Sequence, residues 1–320
     1  NSRLFKNHIW ELYCLRQYMH LTTKRHIGCK CIISSSDNAI PRQGGLVDRL
    51  KGILSVYAYT KAVKCQFFID FSSPFDLQKY LQPNTVDWRL PSEWKKKDFL
   101  HFTPLYLIGE NGNRLFRQRL KKIPCVYSNF DLIDEINRIY GLQETHMSLF
   151  EGLFSPSKLL DEHVDHHATI LEVPFIAVHF RFQQLLGDFI DIRGNTLNSE
   201  QQNMLTDKCL LVLQQLRAQH PAHEIVVFSD SQSFLGIAQH NNCRVIPGPV
   251  GHLDFTRNDD IYIKMFTDLW AIRKAAHVYS VVLGEMYPSD FPRFAALSTD
   301  KPFTRITQSD KPRKISFLKY

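Results

Sequence analysis

Residues 31–70 read CIISSSDNAIPRQGGLVDRLKGILSVYAYTKAVKCQFFID, and this stretch decides the fold class. Cys31-Ile32-Ile33-Ser34 is a short apolar run of strand type. A loop from Pro41 to Gly45 follows. Leu46, Leu50, Ile53, Leu54 and Tyr57 then recur at the spacing that sets them on one face of a helix. Gln66-Phe67-Phe68-Ile69-Asp70 is the next strand. Strand, loop, helix, strand is the βαβ unit of a parallel sheet, with a right-handed crossover expected.

The rhythm resumes at Pro174. Phe175-Ile176-Ala177-Val178 predicts a strand, Gln201 to Leu216 a helix, and Glu224-Ile225-Val226-Val227-Phe228 a strand. Ser231 to Gln239 is helical, Arg244-Val245-Ile246 a short strand, Asp260 to Ala275 helical, His277 to Val282 a strand and Pro288 to Leu297 a helix. Before Pro174, Ile123 to Tyr127 predicts a strand and Leu132 to Tyr140 a helix stopped by Gly141. Met147 to Leu160 is helical material interrupted at Pro156 and expected to precede a boundary. Pro83 to Lys97, with Trp88 and Trp94, reads as a surface loop. The fold class expected is α/β, with two Rossmann-like domains, 1–170 and 171–320, facing across a cleft. A ligand is expected in that cleft, at the carboxyl ends of the strands.

The 320 residues predict about two domains at roughly 150 residues each. Hydrophobic residues at 44% and charged residues at 22% exclude collagenous, low-complexity and disulfide-scaffold classes. No fixed-period repeat occurs, which disfavours a solenoid or propeller. The net charge of +7 favours an anionic partner: nucleic acid, an anionic membrane surface or a phosphate-bearing small molecule. Seven cysteines without a CxxC pair do not make a zinc or disulfide framework. Cys29 and Cys31 flank Lys30 and are expected to be buried on one strand face, while Cys14 stands apart. No apolar stretch approaches the roughly 20 residues that cross a bilayer. Asn1-Ser2-Arg3 lacks a signal-peptide profile, and the absent Met leaves room for an upstream segment, a membrane anchor included.

Four turns carry residues suited to chemistry. Gly44-Gly45-Leu46-Val47-Asp48-Arg49-Leu50 stands where a strand ends and a helix opens; its glycines let backbone approach a ligand and present helix amides. It lacks GxGxxG spacing and a P-loop Lys, and on its own it is a tight turn with Asp48 and Arg49 as solvent-face charges. Val178-His179-Phe180-Arg181-Phe182-Gln183-Gln184 ends a strand with an arginine able to hold a diphosphate through charge-assisted hydrogen bonds. By alternation His179 faces away from its flanking neighbours. Phe228-Ser229-Asp230-Ser231 suits nucleoside hydroxyls, or simply caps the next helix. Tyr287-Pro288-Ser289-Asp290-Phe291-Pro292-Arg293 enters a helix whose free amides and Ser289 suit a phosphate, or is an ordinary capped start. Two metal-like clusters read better otherwise: His163, Asp165, His166 and His167 as a polar interdomain stretch, and Asn258-Asp259-Asp260 as a helix cap.

Together, the Gly44 to Leu50 loop, the His179-x-Arg181 strand end, the Ser229-Asp230 turn and the Ser289-x-Phe291-x-Arg293 helix entry resemble the fucosyltransferase superfamily, whose members use GDP-fucose on a GT-B scaffold. Pro74-Phe75-Asp76-Leu77, Leu81-Gln82-Pro83-Asn84, Asp87-Trp88 and Leu185-Leu186-Gly187-Asp188-Phe189 resemble a branch found among bacterial surface-glycan genes. The sequence departs from the better-known members at Phe182 and Gln183, where they carry a second Arg and an acidic residue. The resemblance implies inverting, metal-independent transfer of L-fucose from GDP-fucose, or another GDP-sugar, to a hydroxyl of a glycan acceptor, with no cofactor. It implies that Arg181 contacts the diphosphate and stabilises charge on departing GDP, with His179 beside it. Asp230, Ser231, Ser289 and Phe291 would hold the nucleotide, Arg293 would add positive potential, and Gly44 and Gly45 would let the backbone close in. Asp48 would take the acceptor proton or orient the acceptor, with Glu110 and Glu285 as rivals. Residues 1–170 would then be the acceptor side and 171–320 the nucleotide-sugar side.

The competing reading is a polyanion or nucleic-acid-binding protein, or a non-catalytic homologue. The basic runs Lys95-Lys96-Lys97 and Arg117-Gln118-Arg119-Leu120-Lys121-Lys122 lie apart and lack the interleaved aromatics of a strand-binding platform, so no nucleic acid is expected. Peripheral contact with an anionic membrane suits them better. The expected location is the cytoplasm or the membrane periphery in a bacterium, and the Golgi lumen for a eukaryotic fragment whose anchor has been removed.

Overall fold

The computed structural model describes residues 31–36, 43–95, 102–107, 123–188, 195–251, 253, 258–308 and 315–319. Cys14, Cys29, Glu110, Phe189, Lys96, Lys97 and the 117–122 basic run lie outside the described residues. The chain divides into two units, Asn1–Ser157 and Lys158–Tyr320. Among the described residues no helix is long and apolar enough to cross a membrane.

In chain order the first unit holds β1 (Cys31–Ser36), α1 (Leu46–Val63), β2 (Gln66–Phe71), β3 (Leu81–Pro83), β4 (Phe102–Leu107), β5 (Ile123–Ser128), α2 (Ile133–Tyr140), α3 (His146–Leu153) and β6 (Phe154–Pro156). β1 and β2 pair in parallel from Cys31 opposite Gln66 to Ser36 opposite Phe71, as the opening stretch predicts. The parallel sheet has the order β2-β1-β5-β4. All of β1 is buried, not one face of it, because the strand is internal. Helix α1 opens at Gly45 with Asp48 in its first turn, where a carboxylate complements the helix dipole. It lies against β5 so closely that a Cβ on Gly52 would sit 1.6 Å from the Ser128 carbonyl oxygen. Only glycine permits that approach.

The segment from Pro83 onward is a surface loop only in its polar residues: Asn84, Thr85, Asp87 and Arg89 are exposed, but its tryptophans turn inward. The Trp88 ring is buried, packs edge-on against Phe154 and donates from Nε1 to the Leu153 carbonyl at 2.7 Å, while Trp94 packs edge-on to Phe68. Large indoles with a satisfied N–H belong to the core. β3 pairs antiparallel with β6 here. Phe75, between Phe71 and Tyr80, and Asp76, which caps the 3-10 turn Leu77–Lys79, serve the same packing.

The second unit holds α4 (Lys158–His166), α5 (Ala168–Leu171), β7 (Phe175–Phe180), α6 (Ser199–Gln219), β8 (Glu224–Ser229), α7 (Gln232–His240), β9 (Arg244–Val245), α8 (Asp259–Lys274), β10 (His277–Val282), α9 (Phe291–Leu297), β11 (Phe303–Gln308) and β12 (Ile315–Lys319). The sheet order is β12-β11-β10-β7-β8-β9, parallel except for the β11–β12 pair. Ile176, Val178, Phe180 and Phe182 form one core with Cys209, Val212 and Leu216 of α6 and Phe234 and Ala238 of α7. The polar stretch of His163, Asp165 and His166 is helical: these residues lie on α4, the first helix of the second unit, which packs against α8. Asn258 caps α8, its Oδ1 accepting from the Asp260 N–H at 2.8 Å.

Candidate functional site

From β7 the chain steps outward to β8 and β9, then α8 returns it to β10 on the other side of β7. The strand order therefore reverses between β7 and β10, and an open α/β sheet binds ligands at the carboxyl ends of its strands at such a point. Arg181 is the first residue beyond β7. Its carbonyl accepts from the Tyr287 N–H at 3.1 Å, which joins it to the loop after β10.

Asp230, the first residue beyond β8, reaches across to Arg181, with Nη1 3.2 Å from Oδ2. Its Oδ1 accepts from the Phe182 N–H at 2.8 Å and its Oδ2 from the Gln183 N–H at 2.7 Å. The Asp230 side chain is 5% exposed and that of Arg181 18%. Burial pushes the Asp230 carboxyl up from its ordinary value, while Arg181 and the two amides pull it back. Gln183 takes a left-handed φ of 53° at this turn. Phe182 is a core residue packed against Phe180 and Phe234. A guanidinium at this position would be buried without a partner.

His179 lies on the opposite face from Val178 and Phe180, stacked on Phe291 with centroids 5.9 Å apart. Burial, with the charge of Arg181 second, lowers its pKa to about 3. The ring is neutral at physiological pH and brings no charge to a phosphate. Phe291 begins α9, its N–H donating to Ser289 Oγ at 3.2 Å. Arg293, in the first turn of α9, is half-buried and makes no ion pair or hydrogen bond with any described residue. Glu285 and Tyr287 stand exposed on the loop between β10 and α9.

The Ser231 side chain is fully buried and already engaged. Its Oγ caps α7 by accepting from the Phe234 N–H at 3.1 Å and donates to Asp188 Oδ2 at 2.9 Å. Asp188 Oδ2 also accepts from Ser233 N–H and Oγ, both at 2.8 Å. Asp188 and Asp230 thus fasten the two ends of the 181–188 loop to the β8–α7 turn. Sequence reasoning missed the organising part of Asp188, because its partners come from a different strand-end turn.

In the first unit the order reverses between β1 and β5, and the Gly44-Gly45 turn is pinned there by the Gly44 N–H donating to the Tyr127 hydroxyl at 3.0 Å. A Cβ on Gly44 would lie 2.7 Å from Asp48 Oδ2, so glycine makes room for that carboxylate. Asp48 is 43% exposed and pairs with Lys51 at 3.0 Å. Arg49 is no solvent-face charge. It is 3% exposed, donates to the carbonyls of Gly44 at 2.8 Å and Ser73 at 2.6 Å, and lies over the Phe71 ring. Among the described residues no group of three or more His, Cys, Asp or Glu is placed to hold a metal ion.

No family model and no curated protein matches the chain by sequence. Solved structures do match its fold. A point mutant of Arabidopsis thaliana FUT1 in complex with GDP matches over 97% of this chain and 79% of its own, with a TM-score of 0.56 and 12% identity. NodZ α-1,6-fucosyltransferase soaked with GDP-fucose matches over 91% of this chain and 99% of its own, at 0.56 and 13%. The fold is that of the GT-B fucosyltransferases. Fucosyltransferase NodZ from Bradyrhizobium gives the same TM-score over 93% of this chain and 99% of its own, at 12% identity.

Proposed function

We propose that the chain is an inverting glycosyltransferase that moves L-fucose from GDP-fucose to a hydroxyl of a glycan acceptor. The supporting observation is Arg181, fixed by Asp230 at the switch point of the second sheet, in a fold shared with solved fucosyltransferases. On this reading the second unit holds the nucleotide sugar and the first addresses the acceptor. The Arg181 guanidinium meets the diphosphate. As the bond between the sugar C1 and the phosphate oxygen breaks, its electron pair passes to GDP, and Arg181 stabilises the charge that develops there. The acceptor oxygen forms the new bond from the opposite face of C1, giving inversion, and its proton passes to a base. Asp48 is the proposed base, or the group that orients the acceptor.

Arg293 adds a second positive charge, and the Ser289 turn with Phe291 borders the same strand end as His179. His179 acts as a neutral wall or hydrogen-bonding group, not as a cation. The test is a panel of GDP, UDP and NAD scored by thermal shift, followed by transfer from GDP-fucose. GDP alone is expected to raise the melting temperature by mass action on the native state. No shift with millimolar GDP overturns the nucleotide site, and tight salt-sensitive binding to oligonucleotides favours the polyanion reading.

A further inference from the structure

We infer that Asp230 is a positioning residue for Arg181 and not a ligand of the nucleotide, an inference that rests on the reading of Arg181 as the diphosphate-binding cation. Both Asp230 oxygens are in use: Oδ1 on the Phe182 N–H, Oδ2 on the Gln183 N–H and on Arg181 Nη1. The carboxylate thereby grips the guanidinium and also the two peptide units that follow it. Fixing both the head and the backbone of one side chain leaves it little rotamer freedom to lose when an anion arrives. A carboxylate 5% exposed and accepting from three donors has little left to offer a ribose or base, and its charge would repel a diphosphate. The left-handed turn at Gln183 is held by the same carboxylate, so the loop geometry and the cation's aim have one origin.

Asp188 supplies the control. It also accepts from three donors, fastens the far end of the same loop and does not touch Arg181. The experiment compares D230N, D188N and R181A, alone and with D230N and R181A combined, by calorimetric GDP titration and by kcat and KM for GDP-fucose. D230N is expected to weaken GDP binding about tenfold and to lower kcat by about a hundredfold, the scale of misplacing a charge-assisted contact. D188N is expected to stay within about twofold of wild type. In the R181A background, D230N is expected to cost no further GDP affinity or kcat, because its effect on the ligand runs through that guanidinium.

Wild-type affinity and kcat in D230N, an equal loss in D188N, or additive losses in the double variant overturn the inference. Should D230N fail to fold, the Arg181 guanidinium N–H signals of the unliganded wild-type protein, assigned by their loss in R181K, decide it. Restricted rotation supports the clamp, and free averaging overturns it. A chain that binds GDP and loses it in R181A but not in D230N defeats this inference alone. A wild-type chain that does not bind GDP defeats the reading beneath it as well.

Discussion

Each unit sets an aspartate and an arginine in the turns that follow its strands, Asp48 and Arg49 on the first turn of α1 and Arg181 and Asp230 just past β7 and β8, and the two units use them in exchanged roles. In the first, Arg49 is the buried organiser and Asp48 stands half-exposed beside Lys51. In the second, Asp230 is the buried organiser and Arg181 is the more exposed partner. Arg49 donates to main-chain carbonyls of the Gly44 and Ser73 turns, so its charge is spent on holding the fold. Arg181 is itself held, by a carboxylate and through its own backbone. The identity of a charged residue in such a turn does not say whether it holds or is held. Its burial and the chemistry of its partners do.

The largest effect expected bears on the frame of the first turn. Gly52→Ala places a methyl inside the Ser128 carbonyl and should cost about 4 kcal/mol or more, unfolding the first unit in a thermal melt. Gly45→Ala meets nothing within 4 Å and should shift stability by about 1 kcal/mol or less. Next comes the exchange of roles itself. Arg49→Ala should destabilise by about 3–5 kcal/mol, since it strips buried carbonyls of a charged donor. Arg181→Ala should cost about 2 kcal/mol or less, because two amides still serve Asp230, yet lower transfer by about a hundredfold or more. Equal stability losses in the two arginine variants would erase the distinction.

A third effect is read by pH. His179 has a folded pKa of about 3 against an ordinary 6.5, so the unfolded chain binds a proton that the native ring refuses. Stability is fully present above about pH 6.5 and falls as the pH drops toward 3, by on the order of several kcal/mol over that window. Chemical denaturation of wild type and His179→Gln across this range should show a flatter profile in the variant. The smallest stability effect belongs to Asp48→Asn. Its half-exposed pair with Lys51 is worth about 0.5 kcal/mol or less, while kcat should fall by about a hundredfold with the GDP-fucose KM unchanged.

Much of the architecture was legible because the parallel sheets are internal and their strands are apolar between periodic helices. Cys31 to Asp70 gave β1, α1 and β2, and His277 to Val282 is β10. β3, β4, β6, β11 and β12 were not legible as strands. Pro104 argues against a strand in sequence, yet β4 runs through it at the sheet edge, and Thr304, Arg305 and Thr307 break the apolar run of β11 although Thr304 is buried. Gly141 announced the end of α2 and takes the left-handed φ of 68° that its role requires. Trp88 misled for the opposite reason, since a polar neighbourhood in sequence says nothing of the Leu153 carbonyl that receives its N–H.

The strand-end turns were legible as places. Their internal bonds were not, because Asp230 and Phe182 are 48 residues apart and Arg49 meets Ser73 across 24. Nothing local distinguishes an arginine that bolts two turns together from one that lies on a helix surface.

The stitching of the 181–188 loop onto the β8–α7 turn has a consequence in time as well as in space. The amides of Phe182 and Gln183 end on Asp230, and those of Ser233 and Phe234 end on Asp188 and Ser231. Each pair is closed by its own carboxylate, so the Phe182 and Gln183 protons are expected to exchange with solvent together, and those of Ser233 and Phe234 together, at two separate rates. The turn that aims the cation would then keep a lifetime of its own, apart from that of the first turn of α7.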